Sequence, residues 1–209
     1  MNHAARFPET LATGRLVLRR YLKGDAAGLL ELTHANRSQL TRDFVQMSNI
    51  LNLGDAQAFI FRKRGEWGRR SSCCYGIGLN GTQALIGQIQ AKKIQWEVPS
   101  AELSYFIGSA WQRRGYARES IQSVLSMMFD VMRFQRISLR ILPVNRPSLE
   151  LARNLGFREE GSHRSKFRCG LGELHDVRHF ALTMRDWDRA AQTLRNLSRA
   201  PTTFPRGRD

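Results

Sequence analysis

Gly115 and Ala117 mark the first place in this chain where chemistry can be argued from residue types. They lie within Gln112-Arg113-Arg114-Gly115-Tyr116-Ala117, where small side chains bare the backbone between two kinds of periodicity. Ahead of them, Leu103, Tyr105 and Ile107 alternate with Glu102, Ser104 and Phe106, the period of a strand. From Ala117 onward, Ile121, Val124, Leu125, Met128 and Met132 recur at i, i+3, i+4, i+7 and i+11, one apolar stripe of a helix. The first N–H groups of a helix have no partner inside it, and the macrodipole makes that end positive. A strand, a turn of small residues and a helix N-terminus therefore predict a phosphate cradle, ringed by Arg113, Arg114 and Arg118. The ligand implied is a phosphorylated cofactor.

This stretch resembles the acetyl-CoA-binding motif of the GNAT N-acetyltransferases, Gln/Arg-x-x-Gly-x-Gly/Ala, written here as Gln112-x-x-Gly115-x-Ala117. The strand before it and the amphipathic helix after it make a short pattern specific. Downstream, Asn145-Arg146-Pro147-Ser148 and Leu155-Gly156-Phe157-Arg158-Glu159-Glu160-Gly161 resemble one branch, the ribosomal-protein alanine N-acetyltransferases. The resemblance spans residues 12–186. It implies an α/β (α+β) fold with a mixed, mostly antiparallel central sheet flanked by helices. It also implies acetyl-CoA as co-substrate and an amine as acceptor, foremost the N-terminal α-amine of a protein or peptide, with a small-molecule amine as the alternative.

The same resemblance assigns roles. The backbone of Phe106, Ile107 and Gly108 would pair with the pantetheine arm, and Gln112 through Ala117 would hold the phosphates. Asn145 offers an amide toward the same arm, or an N-cap ahead of Pro147, or both. Ser148 stands where some relatives protonate the leaving thiolate, and is otherwise a first-turn serine. Glu102 is the natural carboxylate for a general base, and its other reading is a cross-strand ion pair with an arginine. The glutamate that some relatives carry after Gly-Phe-x-x-Glu-Gly falls on Phe167, between Lys166 and Arg168. Glu173, His175 and Asp176 are the nearest replacements, and His175 has the pKa for the task.

Other patterns exclude rather than propose. Gly76-Ile77-Gly78-Leu79-Asn80-Gly81 fits the dinucleotide fingerprint, which requires a helix next. The run after it, LIGQIQAKKIQW, alternates like a strand, so Asn80-Gly81 is read as a hairpin turn. A metal site built on Cys169, His175 and His179 fails on spacing, because the two histidines are about 13 Å apart along a strand. No metal is expected. The net charge of +15, from 33 basic against 18 acidic residues, favours an anionic partner: the cofactor, a ribosome or another acidic surface. A non-catalytic acyl-CoA- or RNA-binding module is the competing class. The Arg-rich stretches 62–70 and 189–208 hold few aromatics, Trp67 and Phe204, for a base-stacking platform. Three cysteines, with Cys73 and Cys74 on opposite strand faces, suit a reducing compartment. No apolar run reaches the ~20 residues that span a bilayer. The expectation is a cytoplasmic protein without membrane contact, monomeric or homodimeric.

These side chains need elements to carry them. Residues 1–12 read as a loose arm, 13–188 as one acetyltransferase-like domain, and 189–209 as a basic tail, partly disordered. Within the domain a strand covers 15–21, and Asp25 caps a helix. Residues 36–54 carry no legible period, and Asp55 opens another helix. Strands are predicted over Cys73–Leu79 and Ala84–Trp96, then the strand and helix of the cradle, then Arg136–Leu142. A short helix that starts near Pro147 and stops before Gly156, a strand from Phe157 and a closing strand His175–Met184 complete the order. In the resembling family the early helices wall the acceptor site, so acceptor choice is written where the pattern is least legible.

Overall fold

The computed structural model describes residues 6–82 and 84–189. One eight-stranded sheet runs through it in the order β1-β2-β3-β4-β5-β6-β8-β7. The strands are β1 (Thr10–Ala12), β2 (Leu16–Arg20), β3 (Cys73–Leu79), β4 (Leu85–Gln95), β5 (Ser100–Ile107), β6 (Arg136–Ile141), β7 (Arg158–Arg168) and β8 (Leu174–Thr183). Every neighbouring pair is antiparallel except β5 and β6. The helices are α1 (Ala26–Ala35), α2 (Arg37–Asp43), α3 (Val45–Ser48), α4 (Leu53–Gly68), α5 (Tyr116–Ser126) and α6 (Arg146–Asn154). A parallel pair needs a crossover, and α5 supplies it.

The sheet separates two apolar clusters. Ile121, Val124, Leu125 and Met128, the stripe read from the sequence, pack with Leu103, Ile137, Leu139 and Leu182 in the larger cluster. On the other side Leu29, Leu40, Met47, Phe59 and Ile60 from α1 to α4 gather around Tyr21, Cys74 and Phe106. Cys73 belongs to the first cluster and Cys74 to the second, as strand alternation requires. Burial pushes the Cys73 thiol up to about 12.

Several sequence expectations change. The arm is not loose from residue 6 onward: Phe7 is buried against Trp67 and Trp96, Tyr75 Oη donates to the Pro8 carbonyl at 2.8 Å, and Thr10–Ala12 pairs with β2. Residues 1–5 lie outside the described residues, as does the expected disorder of the tail beyond Arg189. Asp25 does not cap α1 through its side chain; its carboxylate instead accepts from Leu22 N and pairs with Arg19. Asn52, not Asp55, caps α4. Its Oδ1 accepts from Asp55 N at 3.0 Å while Asp55 Oδ2 accepts from Leu51 N at 2.9 Å. The α5 stripe reaches Met132 through a π-helical turn at Met127–Val131. The closing strand β8 inserts between β6 and β7, which the sequence order alone does not specify. The hairpin at Asn80-Gly81 is present, with Gly81 at φ +75° and a strand after it, so no dinucleotide fold forms there. No helix among the described residues is long and apolar enough to cross a membrane.

Candidate active site

The parallel pairing of β5 and β6 runs only from Ser100↔Arg136 to Leu103↔Leu139. Beyond it β5 stays paired with β4 as far as Ile107↔Gly87, and β6 stays with β8 as far as Ile141↔Arg178. The two strands therefore part, and Ser104–Ile107 presents one backbone edge without a strand neighbour. Unpaired strand edges are templates for an extended ligand with amides of its own.

A cleft of about 500 Å³ opens along this edge. The structure brings ten predicted positions to its lining: Phe106, Ile107, Gln112, Arg113, Gly115, Tyr116, Ala117, Arg118, Asn145 and Ser148. Gly108 and Arg114 are absent from it. Gly108 N donates to the Ile86 carbonyl at 2.8 Å, and the Arg114 guanidinium lies over the Trp111 ring.

Gly115 stands at the N-cap of α5 with φ +81° and offers no side chain to cap the first-turn N–H groups. A Cβ at Gly115 would come 3.2 Å from Arg15 Nη2. Nothing in the local pattern marks Arg15. It donates to the Arg114 carbonyl at 3.0 Å, lies over the Tyr116 ring at 4.8 Å and pairs with Glu119 through Nε at 2.7 Å. Glu119 also accepts from Thr13 Oγ1 at 2.6 Å. Burial would raise its pKa, but the hydrogen bonds from Thr13 and Arg15 outweigh that and hold it low. Gln112 Nε2 ties the turn to β5 through the Ile107 carbonyl at 2.9 Å, and to α2 through Gln39 Oε1 at 3.0 Å.

A second cleft, about 360 Å³, meets the first at Asp43, Phe44, Tyr105, Asn145 and Ser148. Asn145 caps α6, with Oδ1 accepting from Ser148 N at 3.2 Å. Tyr105 is largely buried; burial raises its pKa and the adjacent Ser148 hydroxyl opposes the rise. Two hydroxyls thus sit where the clefts join.

Glu102 lines the second cleft but is not a free carboxylate. Its Oε2 accepts from Lys93 Nζ at 2.8 Å and its Oε1 from Arg140 Nε at 2.9 Å, with Lys92 Nζ at 3.3 Å. Consecutive strand residues normally point to opposite faces. Here a bulge with Lys93 at φ +52° turns both lysines onto one carboxylate. Burial pulls the Glu102 pKa up, yet the three cations overcome it and leave it low. Lys92, half-buried, is lowered by burial against the opposing pull of Glu102.

Phe167 lines the second cleft at the position where some relatives would place a base. The replacements do not reach it. His175 lines neither cleft, and its Nε2 is 3.5 Å from Glu173 Oε2; Asp176 Oδ1 accepts from Ser165 N at 2.9 Å. Sequence reasoning missed the opposite wall: Asp43, Phe44, Gln46 and Met47, from the junction of α2 and α3. The Asp43 side chain is 6% exposed and paired with Arg42 at 3.0 Å.

The splayed parallel pair with a helix N-terminus at its mouth sits within a domain of known family: the chain belongs to the GNAT acetyltransferase family, whose domain matches residues 15–158. It is 29% identical over 192 residues to an uncharacterized N-acetyltransferase, p20, of Bacillus licheniformis, covering 86% of this chain and 98% of that one. Over 85 residues it is 32% identical to the ribosomal protein uS5-alanine N-acetyltransferase of Escherichia coli, covering 41% of this chain and 43% of that one. In structure it is similar to a ribosomal L7/L12 α-N-protein acetyltransferase in complex with coenzyme A. That likeness has TM-score 0.79 at 18% identity, over 84% of this chain and 98% of the other.

Proposed function

We propose that this acetyltransferase moves the acetyl group of acetyl-CoA onto the N-terminal α-amine of a protein or peptide. The observation that carries the reading is the meeting of the two clefts at Tyr105, Asn145 and Ser148, with an anion cradle on one side and no uncommitted carboxylate on the other. On this reading the first-turn N–H groups of α5 and Arg113 take the phosphates. The free edge of β5 pairs with the pantetheine amides and fixes the thioester at the join. The amine attacks from the second cleft, and Ser148, with Tyr105 beside it, returns a proton to the departing thiolate.

Deprotonation decides the kind of amine. The reference pKa is about 7.7–8.0 for an α-amine and about 10.4 for lysine. Near pH 7.4 roughly a quarter of α-amines are neutral, against about one lysine in a thousand. Glu102 is a carboxylate of lowered pKa shared among three cations, and so a weak base. Such a site suits an amine that needs little help. The partial likeness to an enzyme of a ribosomal protein N-terminus points the same way. A charge of +15 fits an acidic docking partner, such as a ribosome, in the cytoplasm.

The test sets a peptide with a free N-terminal Ala or Ser against the same peptide N-blocked and carrying an internal lysine. Acetyl-CoA is the donor and products are counted by mass spectrometry. The free N-terminus should win by at least tenfold near pH 7.4. Faster modification of the blocked peptide would overturn the reading. Acetylation of small amines alone would move the acceptor to that class.

A further inference from the structure

The turn between β7 and β8 carries a group of side chains that acyl transfer leaves unused. Cys169, Glu173 and His175 each present a ligand atom, and the three atoms lie within 4.8 Å of one another. His175 Nε2 is 3.5 Å from Glu173 Oε2, and Cys169 Sγ is 3.9 Å from the same oxygen. Tetrahedral zinc has metal–sulfur bonds of about 2.3 Å and metal–nitrogen or –oxygen bonds of about 2.0–2.2 Å, so its ligand atoms stand about 3.3–3.6 Å apart. Two edges are already close to that, and the third closes with a movement of about 1 Å.

Two further observations point to an ion. His175 Nε2 is shielded from solvent yet makes no hydrogen bond. The turn is also built rather than slack. Cys169 N donates to the Glu173 carbonyl at 2.9 Å, Gly172 N to the Cys169 carbonyl at 3.0 Å, and Arg168 Nη1 to the Gly172 carbonyl at 2.7 Å. Gly170 N donates to the Thr41 carbonyl at 2.7 Å, an approach so close that a Cβ at Gly170 would stand 2.9 Å from the same oxygen. The buried thiol, the imidazole and the carboxylate are therefore held together against α2.

We propose that Cys169, Glu173 and His175 bind one Zn²⁺, with water as fourth ligand. The thiol loses its proton to solvent as the metal–sulfur bond forms. The ion then ties the β7–β8 turn to the start of β8, while the Gly170–Thr41 bond holds that turn on α2, beside the acceptor cleft that Phe167, Arg168 and Asp43 line. Spacing along the strand argues against a metal only for Cys169, His175 and His179 as a set. The structure puts His179 elsewhere, with its ring 4.2 Å from that of His163, and brings Glu173 in its place.

Co²⁺ is the probe, added to the untagged full chain after metal removal. One equivalent should give a thiolate-to-cobalt charge-transfer band, bleached by one equivalent of Zn²⁺. Cys169→Ser should abolish the band. Glu173→Gln, at an exposed side chain, should weaken binding at least tenfold, and His163→Gln should leave it unchanged. An absent band, a band surviving in Cys169→Ser, or an unchanged affinity in Glu173→Gln overturns the proposal. The acetyl acceptor does not enter any of these readings.

Discussion

Glu102 shows how a residue in the right place can be committed to another task. Its folded pKa lies below the unfolded value of about 4.3, because Lys93, Lys92 and Arg140 outweigh burial. A depressed carboxylate contributes stability that is present above the unfolded pKa and lost as pH falls through the folded one. Glu102→Gln should therefore cost about 2 kcal/mol near neutral pH, where it leaves three cations facing one another. The gap between variant and parent should close below about pH 4. Urea unfolding at a series of pH values measures it, and a gap that persists in acid would mean that shape rather than charge is at stake. The alternation of the strand sequence placed Glu102 beside the cleft and allowed an ion pair. It did not show two lysines on one carboxylate, because a bulge is a property of paired strands and has no local signature here.

The α5 N-terminus is where sequence and structure agree most closely. Its strand, small-residue turn and helix are all local features, and each has a period or a residue type that shows in the chain itself. Gly115→Ala would force a side chain into φ +81° and against Arg15, costing about 1–2 kcal/mol. Affinity for acetyl-CoA should fall several-fold in titration calorimetry as the cradle shifts. An unchanged affinity would place the phosphates elsewhere. The support behind this turn was illegible, since Arg15 and Glu119 stand 104 residues apart. So was the acceptor wall. The seven residues of α2 and four of α3 are each too short for an apolar period to repeat, and Phe44 breaks the run with φ −140°.

A chain of charge +15 should feel ionic strength in everything it does with anions. The Kd for acetyl-CoA is expected to rise several-fold between about 50 and 500 mM salt, while kcat changes little, because screening weakens capture rather than positioning. A flat Kd would locate the excess arginines away from the cofactor's path.

The sheet also divides the interior into two compartments that answer to different constraints. Phe106 and Ile107 are joined by one peptide bond, yet the first belongs to the cluster under α1–α4 and the second to the cluster under α5 and α6. Substitutions without shared neighbours contribute independently to stability. Amino-acid change beneath the acceptor wall can therefore accumulate without disturbing the packing that seats the cradle helix. Such a molecule can exchange one acceptor for another in small steps, each of which leaves the donor side intact.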